Sequence, residues 1–271
     1  MSRREIGSGA AAALLLALAL PAAADEVLRH SRDGASLRID GPINAQSADI
    51  ITRFIESGGK TIIIDSTGGD ADAGMRIGES LAAADVEVVV DRYCFSSCAN
   101  YVFVPARHKA LNAGAVLGFH GGAPDTRQVR MEGMAPETRA LFETMARLYL
   151  RQEALFGPLG VDTALFGGAG KLSGRTASKS GYRLDCGGVQ RAYVSEQAAK
   201  RALAACMRAG KKYSFGTTSG LETTVYFPSR ETLERHGVRG VGAYPYPANR
   251  AALRKLAAGM GFKIDLVADI P

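Results

Sequence analysis

Two serines stand between two cysteines in Cys94-Phe95-Ser96-Ser97-Cys98, just after an apolar run. A histidine, His120, closes another apolar run 24 residues after Ser96, and a glycine pair, Gly68-Gly69, follows a third. A hydroxyl that attacks an acyl carbon needs a base to take its proton and fixed N–H donors where the oxyanion develops. Imidazole titrates in the range that suits the base. Paired glycines let a backbone approach a ligand closely and aim an N–H at it. The residue after a serine at a helix start points its own N–H the same way. These residue types therefore describe a serine hydrolase, with Ser96 or Ser97 as nucleophile and His120 as base. Taken singly, each has a bland alternative: a Gly-Gly turn, a serine cap, a histidine ending a strand. The elbow G-x-S-x-G is absent, which removes the α/β-hydrolase route. Asp70 and Asp72 suggest a calcium loop, but Met75 and Leu81 stand where its turn glycine and closing glutamate belong, so helix-cap carboxylates are expected instead.

Elements that would bring these residues together alternate along the first half of the chain. Leu37–Asp40 reads as a strand ending at Gly41-Pro42, and 48–57 as a helix with Ile50, Ile51, Phe54 and Ile55 on one face. Lys60–Asp65 is an apolar run of a doubly covered strand, 73–84 a helix, 86–90 a second buried strand and 115–119 a third. A helix is expected to start within or just after the cysteine loop. Strands alternating with helices predict an α/β fold with a mainly parallel sheet. The loops after successive parallel strands leave at one edge, so the glycine pair, the serines and His120 would share that rim. Residues 121–135 read as a loop, Pro136 opens a helix, and Asp162 is placed to cap another. Residues 167–188 read as a connector. Residues 189–271 carry helix signals at 196–207 and 251–259, a hairpin pattern near 213–227 and no motif with chemistry, hence a small α+β extension.

The first 24 residues have the form of a secretory signal: Arg3 and Arg4, an apolar run from Ala10 to Leu20, then Ala22-Ala23-Ala24 before Asp25. Cleavage after Ala24 would leave a periplasmic or secreted protein with no membrane span. Residues 25–271 suffice for one large core or a domain with an appendage. The net charge of +6 is spread over scattered side chains such as Arg139, Arg147, Arg151, Lys211 and Lys212. That describes a solvated surface and no nucleic-acid partner. Four cysteines in an exported chain favour disulfides. Cys94 and Cys98 on one helical turn would have Cα atoms about 6 Å apart, within bridging range. Cys186 and Cys206 form a second pair or two buried thiols. Their separation of 20 residues argues against a zinc site, so no metal and no cofactor is expected.

At this point the chain resembles a family. The segment IIIDSTGGDADAGMRIGESL is similar to the strand–loop–helix of the Clp protease proteolytic subunit, with Ile64, Ser66, Gly68, Gly69, Gly74 and Ile77 in place and Asp65 and Thr67 replacing the usual Asn and Pro. CFSSCANYVF resembles that family's nucleophile turn, with Phe95 and Cys98 where small residues usually stand, and GAVLGFHGG resembles its histidine strand. With a signal peptide, the chain is similar to an exported bacterial branch of the Clp/crotonase superfamily over residues 36–165. The resemblance implies a Clp/crotonase-like spiral of repeated ββα units over 25–166. It implies Ser96 as nucleophile, with Ser97 one register away, and His120 as base. The amides of Gly68, Gly69 and Ser97 would be the oxyanion donors. The family's acidic third member falls near residue 170, where this chain has Gly-Gly-Ala-Gly-Lys; Asp162 is the nearest acid. The resemblance implies a serine peptidase or related acyl hydrolase acting on a peptide or small acyl substrate, and a possible homo-oligomer; export, which separates the chain from ATP, makes it ATP-independent. The alternatives are a non-catalytic scaffold binding peptide or a partner subunit, and an acyl-CoA enzyme, which export separates from its substrate.

Overall fold

The computed structural model describes residues 28–129, 131–133, 136–168, 181–187, 189–193, 196–211, 213–218, 224–261 and 264–270; residues 1–24, where a signal segment is expected, lie outside them. The main sheet runs β1 (Arg29–Asp33), β2 (Ser36–Asp40), β3 (Thr61–Ser66), β4 (Glu87–Phe95), β5 (His108–Leu111), with β6 (Val116–Gly118) on the far part of β4. Only β1 and β2 pair antiparallel; every other pair in this sheet is parallel. The class is mixed α/β with a mostly parallel sheet, as the alternation predicts. Ile62 and Ile64 of β3 and Val88 and Val90 of β4 are fully buried.

Helix α1 (Ala45–Glu56) starts at a capping box in which Asn44 Oδ1 accepts from the Ser47 amide at 2.9 Å and Ser47 Oγ from the Asn44 amide at 2.8 Å. Helix α2 (Ala71–Ala83) starts at Asp70, whose carboxylate takes the Ala73 amide at 2.7 Å, the capping role expected of it. A six-residue π-helix, Cys98–Phe103, follows β4, and α3 (Pro136–Phe156) covers the core with Leu155 and Phe156.

Several boundaries differ from the sequence reading. Strand β4 does not stop at Val90. It continues to Phe95 because Asp65 carries it through a bulge: Ile64 pairs with Val90 but Ser66 pairs with Cys94, so β4 advances four residues against two. The Asp65 carboxylate, 3% exposed, fills the gap by accepting the Arg92 amide at 2.6 Å, the Tyr93 amide at 3.3 Å and Arg92 Nε at 2.9 Å. The segment 213–227 is not a hairpin. Strand β7 (Gly181–Cys186), inside the expected connector, pairs with β8 (Val189–Tyr193) and β9 (Tyr213–Thr218), and α4 (Glu196–Arg208) follows β8. Strand β10 (Thr224–Phe227) instead pairs in parallel with β11 (Asp265–Ala268).

Part of 189–271 packs into the main core. Phe119 and Tyr226 exchange backbone hydrogen bonds at 2.9 and 2.7 Å, and Phe227, Leu233 and Val238 are fully buried in the main core. Among the described residues no helix is long and apolar enough to cross a membrane.

Candidate active site

Ser96 sits where β4 turns into the π-helix. Its φ is +54°, and no other described residue apart from glycine has a positive φ. An L-residue in the left-handed region is strained, and a turn holds it there only when its surroundings leave no alternative. Here they do. The Ser96 amide donates to Gly118 O of β6 at 2.9 Å, and its carbonyl accepts the Asn100 amide at 2.8 Å. Cys94 and Cys98 are disulfide-bonded across it, Cα to Cα 5.3 Å. That bridge is the pairing the sequence suggests, but it ties a strand end to a helix start instead of lying on one helical turn.

The two serines differ. Ser97 is 4% exposed and its hydroxyl donates to Gly69 O at 2.6 Å. Ser96 is partly exposed. The glycine loop abuts this turn: a Cβ on Gly68 (φ +99°) would lie 2.6 Å from both Phe95 O and Ser96 Cβ, so only glycine fits. The Gly68 amide, one of the expected oxyanion donors, is engaged within its own loop. Its N–H reaches Ser66 Oγ at 3.1 Å, because the turn folds back on the end of β3. Gly69 lies opposite Ile43, which bonds its two neighbours: Ile43 N donates to Gly68 O at 2.7 Å and Asp70 N to Ile43 O at 2.8 Å. Among the described residues no backbone carbonyl takes the Gly69 or Ser97 amide.

His120 is partly exposed and lies two residues beyond Gly118, the residue that pairs with Phe95 and accepts the Ser96 amide. Strand pairing thus brings Ser96 and His120 to adjacent chain ends on one rim. The loop after His120 is pinned by groups the sequence reading missed. Asn100, 2% exposed, donates its Nδ2 to Gly121 O at 2.6 Å, while its Oδ1 is buried with no partner among the described residues. Asn100 therefore ties both chain ends, through its amide to Ser96 and through its side chain to Gly121. Gln152, 2% exposed, accepts the Tyr101 hydroxyl at 2.8 Å and the Ala123 amide at 3.0 Å through Oε1. Burial pushes the Tyr101 phenol up to about 12, so it stays a donor at any ordinary pH. Beneath, Phe119 stacks on Phe166 at 5.8 Å and Phe156 meets Phe166 edge-on at 5.3 Å. Amides buried within apolar helices carry no periodic signal, and only their position four and five residues after Ser96 could have flagged Asn100 and Tyr101.

Both carboxylate oxygens of Asp162 have partners of their own. One oxygen caps a short 3-10 turn, Thr163–Gly167, by accepting the Ala164 amide at 2.9 Å; the other meets His236 Nδ1 at 3.0 Å. The region near residue 170 lies outside the described residues. Cys186 and Cys206 form the second disulfide, between β7 and α4, Cα to Cα 5.9 Å.

No protein-family model matches the chain. No curated protein matches it either. Among solved structures the chain is similar to a point mutant of ClpP1 from Listeria monocytogenes, at 14% identity, over 81% of this chain and 94% of that one, with a TM-score of 0.37.

Proposed function

We propose that this protein is an exported serine hydrolase, ATP-independent and without a cofactor, acting on a peptide or small acyl substrate. Ser96 is the nucleophile and His120 the general base. The Gly69 and Ser97 amides receive the oxyanion, and the hydroxyl of Ser97 braces the Gly69 carbonyl. The observation that carries this reading is the left-handed backbone of Ser96 at a strand-to-helix turn. A sharp turn of this kind lifts a hydroxyl clear of its own backbone, and a non-glycine residue held there implies a use for the side chain. Attack forms a bond from Ser96 Oγ to the acyl carbon while the proton passes to His120. The imidazolium then protonates the leaving group, and water completes hydrolysis. Two disulfides accord with an oxidising compartment. The reading keeps the Clp/crotonase-like spiral for residues 25–166 and self-association as expectations.

Because Asp162 is engaged by His236, a second reading stands beside the first: a scaffold of the same fold that binds peptide without cleaving it. A fluorophosphonate probe separates them. The hydrolase reading expects labelling of the wild type and of Ser97→Ala, and none of Ser96→Ala. Folded wild type that resists the probe supports the scaffold. Labelling lost in Ser97→Ala but kept in Ser96→Ala moves the nucleophile by one residue.

A further inference from the structure

A cleft of about 540 Å³ opens between β4 and the C-terminal helix Arg250–Ala258, lined by none of the residues assigned to hydrolysis. Its volume falls in the range of small-molecule sites, and its surface is mostly apolar. Tyr93 forms one wall, and Tyr246, Pro247, Leu256 and Met260 the other. The walls are fixed before any ligand arrives. Tyr93 stacks on Phe95 at 5.5 Å. The Tyr246 hydroxyl donates to Phe227 O at 2.9 Å and accepts the Asp269 amide at 2.8 Å, and its ring meets Phe227 edge-on at 5.0 Å. Pro245 and Pro247 fix the backbone on either side. A rigid wall loses little entropy on binding.

Charge at the cleft has one sign. Arg92 and Lys255 line its exposed edge, and among the described residues no Asp or Glu does. Arg92 already holds Asp65 through Nε at 2.9 Å, and Asp65 is buried behind it. Among the described residues no carboxylate lies within ion-pair distance of Lys255. An apolar slot with an unpaired ammonium at its lip is complementary to an amphipathic monoanion. We propose that this cleft binds a small carboxylate with an apolar body, the body between Tyr93, Tyr246 and Leu256 and the carboxylate at Lys255. The site is independent of the hydrolase reading, since neither Ser96 nor His120 lines it.

Decanoate tests the idea on the full mature chain carrying methyl-labelled methionine. The Met260 methyl resonance should shift saturably, with Met75, buried in the core, unmoved. Lys255→Glu, at an exposed position, should weaken binding about five- to tenfold, the loss of a partly exposed ion pair and its replacement by repulsion. Leu256→Trp should abolish binding by filling the cleft, and decanol, lacking the charge, should bind more weakly than decanoate. Ser96→Ala should bind as the wild type does, which separates this site from the hydrolytic one. The proposal falls if decanoate leaves Met260 unmoved, or if Lys255→Glu and decanol bind as tightly as wild type and decanoate. It falls equally if Met260 responds to protein concentration instead of ligand, which would make the cleft a contact between copies of the chain.

Discussion

Lys109 is 2% exposed, and its ammonium has one hydrogen bond, to Val104 O at 2.7 Å at the end of the π-helix that Ser96 leads into. Burial lowers its pKa from 10.5 to about 7. Between those two values the unfolded chain holds a proton that the folded chain has released. Stability therefore rises with pH across that window and is flat below it. At pH 7 the deprotonation that folding requires costs roughly 4 kcal/mol, and at pH 10 about 1 kcal/mol, so the wild type should gain about 3 kcal/mol between them from this group. Lys109→Met keeps the length and apolar stem of the side chain but cannot titrate. It leaves the Val104 carbonyl unpaired, a loss of about 1–3 kcal/mol. The variant should therefore be more stable than wild type at pH 7 by roughly 1–3 kcal/mol, and this advantage should vanish or reverse by pH 10. Urea unfolding of both proteins at unit pH steps from 6 to 10, with disulfides intact, measures the difference and cancels other titrating groups. Parallel stability profiles, or a variant less stable than wild type at pH 7, would refute the account of a buried amine held neutral.

Four further outcomes are expected around Ser96. Gly68→Ala should destabilise the fold by about 2–4 kcal/mol, from a strained φ plus a clash with Phe95 O and Ser96 Cβ, and should end fluorophosphonate labelling; a stable, reactive variant would show that the loop relaxes freely. Asn100→Ala should cost about 1–2 kcal/mol through the unpaired Gly121 carbonyl and slow labelling by more than that loss of stability accounts for; unchanged labelling kinetics would reduce Asn100 to a core residue. Removing Cys94–Cys98 with alanines should cost only about 2 kcal/mol for so short a loop but strongly slow labelling. Removing Cys186–Cys206 should cost about 3 kcal/mol and leave labelling intact. If the two pairs exchange those effects, the first bridge does not hold the Ser96 turn. Ser96→Gly should be more stable than wild type by about 0.5–1 kcal/mol, since glycine adopts positive φ without strain, and should not label.

The apolar runs around Ile62–Ile64 and Val88–Val90 announce a parallel sheet because doubly covered strands leave no polar alternation, and the spacing of Cys94 and Cys98 announces a bridge. The route by which β4 reaches Ser96 is not legible. Asp65 looks like the polar end of a strand, yet it is buried under three donors that come from residues 27 and 28 positions away. The choice between Ser96 and Ser97 depends on the turn that follows β4, where Ser96 takes a positive φ and Ser97 a helical one, and no pattern of residue types announces that turn. Strand β10 is hidden for a different reason. Its partners, Phe119 and the strand Asp265–Ala268, are non-local, and a short run of Thr-Val-Tyr-Phe soon after the strand Tyr213–Thr218 looks locally like half of a hairpin.

A fold has no need of a serine at position 96. Glycine would meet the same dihedral at less cost, and the chain already uses glycine at Gly68 and Gly69, where φ is also positive. Around Ser96 it instead provides a disulfide on both sides, a hydrogen bond to each of its backbone groups and a glycine packed against its Cβ. Each of these ties removes a way for the strain, of order 1–2 kcal/mol, to relax. Ser97, one residue on, has unstrained helical geometry (φ −56°) and a committed hydroxyl, as an ordinary structural serine does. The two neighbours are of the same chemical type and differ in backbone strain, burial and hydroxyl engagement. The proposed hydrolase rests on that contrast: a strained, partly exposed hydroxyl at a turn next to the strand that precedes His120, for which packing alone gives no reason.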